Sequence, residues 1–494
     1  MEVRTDLIKE TIVDGILYVF DDEAYEIPSA MVTTAVTTIY IPENSVDAYK
    51  EINDDYKEMI YPYSYSGVRL TKEPFYDNVA VIMTSESNAP MMNVMYTKGL
   101  AAHQDYMTLA EAKAVTNEDC TQLLDGNSAV TSFNEFQYFT NVTDCGEFFA
   151  RNAINLESII LPKSLRIIPP RMFTITTAVW NSGSRGHLKY VGNTEQIEEV
   201  GQVAFQYQNQ PFSLNFTQKL KKIGLSAFIG NYNHNNLNDD SMFTYITSFG
   251  DLSGVEEIVL APNNSASSAF MAQQNLKSIN MPKITHIPIN IFCNCRNLST
   301  INFDWDNLTN IGEFALVNTA IDNIPNCPKL TTIGQSAMAW CRHFKFIGDM
   351  PLLTTINKYT FEYCYNLKEI GDIPLVTTIG NYAFTNDGEL YKIGRMDNVA
   401  TIGVQAFAGC NKLNAYFPNC TSVGKWAFGV DYGKDYKRTI EFGKPFDEIS
   451  FNSETFVISH DNEVLPCINT TIICNGVELT AEQYQAVGAQ KPEA

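Results

Sequence analysis

The sequence predicts an α/β repeat protein, a solenoid whose short parallel strands stack on one another, with a non-repeating region before the array and a short cap after it. Two observations predict this class. A string of the form Ile-Gly-x-x-Ala-Phe recurs along the chain, and two columns of apolar residues keep a spacing of 23 residues over six successive copies. A unit of this length is too short to bury its own apolar face, so it must stack on copies of itself.

The recurring string divides each repeat into two parts. It reads IGNYAF from Ile379, IGVQAF from Ile402 and VGKWAF from Val423. We interpret it as a short helical or irregular arc that returns the chain to the next strand, because glycine permits a tight backbone turn and a polar stretch follows the phenylalanine. Looser copies begin at Val200, Ile223, Ile287, Ile333 and Ile356.

The apolar columns mark the strand of each repeat. The segment between the columns, L-x-x-I, is short and rich in branched residues, as strands are. The first column is Leu298, Ile321, Phe344, Leu367, Leu390 and Leu413, and the second is Ile301, Ile324, Ile347, Ile370, Ile393 and Tyr416. Both columns are predicted to face the core, beside the phenylalanines of the string, Phe361, Phe384, Phe407 and Phe428.

The repeats resemble the leucine-rich repeat of the BspA-like type. The segments IGNYAFTNDGELYKIG, IGVQAFAGCNKLNAYFP and INKYTFEYCYNLKEIGDIP carry the resemblance, which covers roughly residues 140–430. It implies a leucine-rich-repeat solenoid and a role in adhesion or surface recognition. Two further strings resemble material found around such arrays: IYIPENSVDAYKEI (39–52) is similar to a closing segment, and FNEFQYFTNV (133–142) to an opening segment. Residues 231–248 carry no repeat signal, and Leu316 stands where the phenylalanine is usual.

Three regions follow from the repeat boundaries. Residues 1–130 are predicted to be a non-repeat N-terminal region that serves as an attachment or a cap, residues 131–430 the repeats, and residues 431–494 a C-terminal cap. Within the first region, Thr108 with Glu111 three residues later predicts the start of a helix. Caps are expected because an open solenoid end exposes apolar core.

The charge balance excludes two classes of partner. The chain has 34 basic and 56 acidic residues, so its net charge is 34 − 56 = −22. This field repels phosphate backbones and anionic lipids, so we expect no nucleic-acid partner and no docking on an anionic membrane. The sequence contains no run of about 18 consecutive apolar residues, so we expect no membrane insertion. The start, MEVRTDLIKETIVDG, lacks the pattern of a secretory signal, so we expect a chain that stays inside its cell or leaves without an N-terminal signal.

The 11 cysteines are predicted to be reduced core residues rather than a disulfide framework. An apolar residue follows six of them at a fixed step of three, as expected of small buried hydrophobes. Cys341 with His343, and Cys293 with Cys295, are assigned to the core and not to a nucleophile pair or a metal site. The six are Cys295, Cys327, Cys341, Cys364, Cys410 and Cys420.

No motif of a known catalytic site is present, so we predict no enzyme, no cofactor and no metal site. The six histidines are dispersed. The lesser alternative is a hydrolase with its site in the N-terminal region. Its candidate carboxylates form runs without a spacing that would fix two of them across a substrate. They are Asp21, Asp22, Glu23, Asp54 and Asp55.

The candidate binding surface follows from strand alternation. Side chains along a strand point alternately to opposite faces, so the residue before each inward isoleucine should face outward. Two interpretations remain open for this column: a solvated sheet face where variation is tolerated, or the binding face of the array. The outward residues proposed for binding are Thr300, Asn323, Phe346, Glu369 and Lys392, with Ala415 next in the column.

The predicted function is a non-enzymatic binding or adhesion scaffold for a protein or glycan ligand on a cell surface. We expect a phage head or tail appendage, of the fibre or receptor-recognition type, that is located in the virion. In that setting the N-terminal region would contact other virion proteins. The alternative is a bacterial cell-surface BspA-like adhesin or a secreted protein. Whether the chain forms a homo-oligomer stays open.

Overall fold

In a computed structural model the chain forms a leucine-rich-repeat solenoid in which each repeat contributes two short strands to two separate parallel stacks. The structure describes residues 81–492 except 209, 231–245, 262–266, 432, 434–435 and 461–462, together with residues 10–13, 16–19, 38–42, 50–51, 60–63, 69–70 and 80. The parallel stack predicted from the apolar columns is confirmed.

The first stack, the front sheet, contains the predicted L-x-x-I strands. Among the described residues it consists of five hydrogen-bonded groups of strands, and neighbours within a group pair in parallel, apart from a last antiparallel strand. In chain order they are Ser132–Phe133, Ser158–Ile160, Tyr190–Gly192, Phe212–Phe216, Ile246–Gly250, Ser278–Asn280, Thr300–Asn302, Asn323–Ile324, Phe346–Ile347, Glu369–Ile370, Lys392–Ile393, Ala415–Phe417, Arg438–Phe442, Thr470–Cys474 and Val477–Glu478.

The second stack, the side sheet, was not predicted. The start of the Ile-Gly string is a two-residue strand, and only the rest of the string is the irregular arc that the sequence suggested. The strands of the side sheet form three hydrogen-bonded groups in the described chain. The first group is Ile167–Ile168, Glu199–Val200, Lys222–Ile223 and Glu257–Ile258, the second is His286–Ile287, Asn310–Ile311 and Thr332–Ile333, and the third is Thr355–Ile356, Thr378–Ile379, Thr401–Ile402, Ser422–Val423 and Ser450–Phe451.

The glycine of the string is required by close packing rather than by a tight turn. A Cβ added at Gly380 would lie 2.7 Å from both the backbone C of Asn357 and the backbone N of Lys358 in the preceding repeat, and Gly380 itself does not have a positive φ. The left-handed positions come later in the arc, at Tyr382 (φ 59°) and Asn386 (φ 65°). The expected role of this glycine is therefore corrected.

The core lies between the two stacks. The first apolar column is buried throughout, as are the phenylalanines of the string, which confirms both expectations. Phe361, Phe384, Phe407, Phe428 and Phe456 stack in sequence with ring centroids 5.0–5.4 Å apart. A continuous row of rings therefore joins the later repeats, since aromatic pairs at this separation attract beyond the area they bury.

The second column fails at its last member. Tyr416 is 51% exposed, while Ala415 and Phe417 on either side are buried. The reason is a one-residue change of register: Lys392 pairs with Asn414, a step of 22 instead of 23. Ala415 therefore takes the inward position next to Ile393 in the column, and the shift turns Tyr416 to the opposite face.

Side-chain oxygens connect successive repeats at the end of the front strands. The backbone N–H of Asp349 donates to Asn326 Oδ1 (2.9 Å), that of Asp372 to Asp349 Oδ1 (2.8 Å) and that of Arg395 to Asp372 Oδ1 (2.8 Å). In each bond the donor belongs to the later repeat and the acceptor to the earlier one.

The N-terminal region contains further strands. Glu10–Val13 and Ile16–Val19 form an antiparallel hairpin, and Ile16–Val19, Thr38–Pro42 and Ile60–Tyr63 pair in parallel. Leu17 is in register with Ile39 and Ile39 with Ile60, at steps of 22 and 21 residues. These steps are close to that of the array, although the sequence showed no period there.

Antiparallel strands and short helices lead into the array. The strands are Arg69–Leu70, Ala80–Thr84 and Tyr106–Thr108. The helix predicted at Thr108 is confirmed: Thr108 Oγ1 accepts from the Glu111 N–H (3.1 Å), and Glu111 Oε2 accepts from the Thr108 N–H (2.7 Å). The α-helices of the described chain are Ser85–Thr97, Leu109–Ala114, Asn117–Cys120, Thr177–Asn181 and Ala481–Ala486, and the 3-10 helices are Asn134–Tyr138 and Phe446–Glu448.

The C-terminal region continues the front sheet before closing it. Arg438–Phe442 and Thr470–Cys474 stack in parallel on the last repeat, and Val477–Glu478 then turns back antiparallel. Beside them, Val430–Asp431, Val457–His460 and Glu463–Pro466 form a separate three-stranded sheet. The predicted boundaries at residues 130 and 430 stay predictions.

Candidate binding face

Four of the five proposed binding residues lie in one row on the front sheet. Asn323, Phe346, Glu369 and Lys392 are direct partners in successive parallel strands. Neighbouring strands are about 4.8 Å apart, so the row spans about 14 Å. Asn323, Phe346 and Lys392 are exposed and Glu369 is half-buried. The strand pairing holds this row on a rigid support.

The fifth residue, Thr300, lies on a neighbouring strand pair. Its strand pairs with Ser278–Asn280 and not with the strand of Asn323. Thr300 is exposed, so it lies toward the N-terminal side of the row rather than within its hydrogen-bonded ladder.

The prediction that Ala415, the sixth member of the column, faces outward is wrong. This residue is only 9% exposed, because the register change that exposes Tyr416 turns Ala415 inward. Asn414 takes its place: it pairs with Lys392 and is exposed. Asn414 thus extends the row of binding candidates by one strand.

The charges of the row are paired with each other. Lys392 Nζ lies 3.6 Å from Glu369 Oε2, and the hydroxyl of Tyr391 donates to Glu369 Oε1. This hydrogen bond to a carboxylate raises the pKa of Tyr391. Because Glu369 is shared between a cation and a phenol, the row presents little net charge.

Three exposed aromatic rings lie on or beside the front strands near this row. Phe346 is 44% exposed, Tyr391 41% and Tyr416 51%. Rings that offer an apolar body and, for tyrosine, a polar hydroxyl suit recognition of both proteins and sugars. Strand alternation predicted that Phe346 is exposed, but it predicted neither tyrosine as part of this face.

A separate cleft of about 160 Å³ opens among the arcs near the C-terminal end of the array. The residues that line it include Gln405, Trp426, Asn386 and Gly409. Small-molecule sites typically have volumes of about 300–1,000 Å³. The cleft is smaller than this range, so the front sheet is the better candidate.

The thiols are structural. All eleven cysteines are free and buried, as predicted. Burial raises the pKa of the Cys341 thiol to about 11, and its Sγ donates to the carbonyl of Leu316 (3.0 Å). A thiol with a raised pKa is a poor nucleophile at neutral pH, and His343 is exposed. The assignment of Cys341 to the core is confirmed.

The part of the chain that the structure describes contains no metal-binding group, no membrane-spanning helix and none of the carboxylates of the hydrolase alternative. There, no three His, Cys, Asp or Glu side chains are grouped so that they could hold a metal ion. No helix among the described residues is both long and apolar enough to cross a bilayer. The carboxylates of the hydrolase alternative, Asp21, Asp22, Glu23, Asp54 and Asp55, lie outside the described residues.

Comparison with known families agrees with the repeat geometry. The family described as "BspA type Leucine rich repeat region (6 copies)" matches residues 127–191, 182–282, 263–387, 323–433 and 377–453. Together these segments span 127–453, about two thirds of the 494 residues. The chain therefore belongs to the BspA-type leucine-rich repeat family. No curated protein matches it.

Solved structures of leucine-rich repeat proteins are similar to the chain. One from Bacteroides ovatus has a TM-score of 0.49 and 21% identity, and the match covers 65% of this chain and 81% of that one. A leucine-rich cell surface protein from Faecalibacterium prausnitzii gives 0.38 and 20%, with coverage of 67% and 87%. One from Eubacterium ventriosum gives 0.35 and 16%, with coverage of 61% and 80%.

Proposed function

We propose that this protein is a non-enzymatic binding scaffold that recognises a protein or glycan on a cell surface through its front sheet. The observation that carries the proposal is Phe346. This large apolar side chain is 44% exposed on a rigid strand, where solvation alone would favour a polar residue. Beside it the charged row is internally paired, so a partner meets an apolar anchor without an uncompensated charge.

The size of the row defines its role. Four strands span about 14 Å, which is small beside a standard interface of about 800 Å² per partner. Phe346 is therefore a central anchor, with Tyr391 and Tyr416 as further aromatic contacts. Thr300 and Asn323 supply the rim on the N-terminal side. Binding hot spots have this pattern of a few aromatic anchors surrounded by near-neutral contacts.

The proposed setting is a phage virion, with the array as the receptor-recognition part of a head or tail appendage. The buried, free thiols support it, since a virion protein folds in a reducing cytoplasm. In this setting residues 1–130 attach the array to other virion proteins. A bacterial cell-surface adhesin is the alternative, and it uses the same front sheet. Detection of the chain in purified phage particles, rather than on intact bacteria, separates the two.

The test of the binding face is a triple variant of the full chain, Phe346→Ala with Glu369→Ala and Lys392→Ala. We expect labelled wild-type protein to bind target cells and the triple variant to lose at least tenfold in affinity. The matched control is Leu352→Ala with Leu375→Ala, because both leucines are 43% exposed and lie outside the front strands. Equal binding by wild type and triple variant, with both folded, would remove this face from consideration.

A further inference from the structure

Asp387 occupies a repeat position that cysteine fills in the two flanking repeats. Cys364 lies 23 residues before it and Cys410 lies 23 residues after it. Like these two thiols, the Asp387 side chain is fully buried, at 0% exposure. An acidic residue therefore stands in the core where neighbouring repeats place a small, weakly polar group.

The neighbouring thiols share one hydrogen-bonding role. Cys364 Sγ donates to the carbonyl of Met338 (3.2 Å), and Cys410 Sγ donates to that of Phe384 (3.0 Å). In both cases the acceptor lies 26 residues before the donor, at the phenylalanine position of the preceding repeat. By the same step of 26 residues, the carbonyl that corresponds to these acceptors for Asp387 is that of Phe361.

The Asp387 carboxyl is only half satisfied. Its Oδ1 accepts from the backbone N–H of Cys364 (2.8 Å), while its buried Oδ2 has no hydrogen-bond partner among the described residues. A carboxylate only accepts hydrogen bonds, whereas a protonated carboxyl has one O–H to donate. A proton on Oδ2 would supply the donor that the thiols supply in the adjacent repeats.

We propose that Asp387 is a neutral carboxylic acid in the folded chain, that its Oδ2–H donates to the Phe361 carbonyl in place of a thiol, and that loss of this proton makes the array pH-sensitive at this repeat. Without the proton, a bare carboxylate would be buried against carbonyl oxygens, which is costly in a low-dielectric interior.

The thiols and the acidic side chain around Asp387 do not stabilise its charge. The thiols of Cys364 and Cys410 flank it, and Glu362 adds negative charge from the preceding arc. The nearby Arg438 guanidinium donates to the Cys410 carbonyl (3.1 Å) and to Thr470 Oγ1 (2.9 Å). No Lys or Arg forms an ion pair with Asp387 in the described part of the chain. Burial raises the pKa of Asp387 well above its usual range, against the lowering effect of the Cys364 amide.

The sign of the pH effect follows. In the unfolded chain an aspartate ionises near ~3.9, while in the folded chain its pKa is raised. The stability from the neutral form is fully present below the unfolded pKa and is lost as the pH rises to the folded pKa. The backbone carbonyl of Asp387 also accepts from the Leu390 N–H (3.0 Å). Leu390 lies two residues before Lys392, which belongs to the front sheet. We therefore expect the loss to appear as faster amide exchange at Leu390 and Cys364.

The experiment compares unfolding of the full-length wild type with Asp387→Asn and Asp387→Cys between pH 5 and 9. Asparagine can both accept from Cys364 and donate to Phe361, and cysteine restores the thiol column. Relative to wild type, the folding equilibrium constant of each variant should rise by about tenfold per pH unit until the folded pKa is reached. Parallel pH profiles for wild type and Asp387→Asn would overturn the proposal.

Infrared spectroscopy gives a second measurement that does not depend on the variants folding equally well. In a Glu135→Gln background, which removes another buried carboxyl with a raised pKa, a protonated carboxyl band should remain at pH 7. The band should disappear in the double variant with Asp387→Asn. Absence of this band in the Glu135→Gln protein at pH 7 would show that Asp387 is ionised and would refute the proposal.

Discussion

The rings of Phe384 and Phe407 stack with their centroids 5.1 Å apart and their planes inclined by only 1°. Phe361 stacks on the other side of Phe384 at the same separation. This distance is close to the ~4.8 Å spacing of neighbouring strands. The Phe384 ring therefore fills the space between successive repeats and contacts one ring on each of its two faces.

Removal of one ring from this row should be costly. We expect Phe384→Ala to lower the free energy of unfolding by about 3–5 kcal/mol, because a buried aromatic ring leaves a cavity. Phe346→Ala is the control: Phe346 is exposed, so its loss should change the free energy by only about 0.5 kcal/mol. Both values come from denaturant titration. Similar values for the two variants would mean that Phe384 is not a core residue.

The close approach of repeats at Gly380 can be tested against a second glycine of the same region. We expect Gly380→Ala to destabilise by about 1–3 kcal/mol, since the new methyl group overlaps the backbone of Asn357 and Lys358. Gly388→Ala is the matched control, because the nearest atom to an added Cβ there is 3.7 Å away. Thermal and denaturant unfolding of both variants provide the comparison. A harmless alanine at Gly380 would contradict the packing argument.

Thiol labelling tests the buried cysteine column. Cys341, Cys364 and Cys410 are fully buried, and burial raises the pKa of each thiol. We expect these three to react with a thiol reagent only as fast as the chain unfolds, and readily in denaturant. Mass spectrometry of tryptic peptides at several labelling times identifies each site. Rapid native labelling of all three, or a disulfide between any two, would overturn the assignment to the core.

Glu135 predicts a separate pH dependence near the start of the array. Burial raises its pKa to about 7, against lowering hydrogen bonds from its backbone and from Asn88. Stability from the neutral form is thus present below the unfolded pKa of ~4.3 and is lost as the pH rises through about 7. We expect Glu135→Gln to be about 1–3 kcal/mol more stable than wild type at pH 8, with little difference at pH 4.5. A constant difference across this range would rule out the titration of Glu135.

The repeat period predicted the front sheet because a core column keeps its spacing wherever repeats stack in register. The side sheet could not be predicted in this way. Its strands, such as Thr378–Ile379, are two residues long and too short to show alternation. Tyr416 was misplaced for a related reason: Leu413 keeps the spacing of 23, so the one-residue register change at Asn414 is hidden from the column before it.

The candidate face was predictable where a residue directly precedes a buried isoleucine on a strand, because neighbouring side chains on a strand point to opposite faces. Phe346 and Glu369 are such residues. Tyr391 was missed because it precedes the two-residue strand Lys392–Ile393, where alternation gives no direction. Its ring position depends on the hydrogen bond from its hydroxyl to Glu369 in the preceding repeat. Such a contact is set by side-chain conformation rather than by spacing along the chain.

The direction of the bonds from Asp349 to Asn326, Asp372 to Asp349 and Arg395 to Asp372 bears on how the chain is made. A ribosome delivers about 5–20 residues per second, so one repeat emerges in roughly 1–5 s, whereas strand pairing takes about 1–10 μs. For these three bonds, each newly made repeat thus meets an acceptor oxygen that is already held in the repeat before it. We therefore expect the array to fold during translation, one repeat at a time from the N-terminal side, with each folded repeat serving as the template for the next.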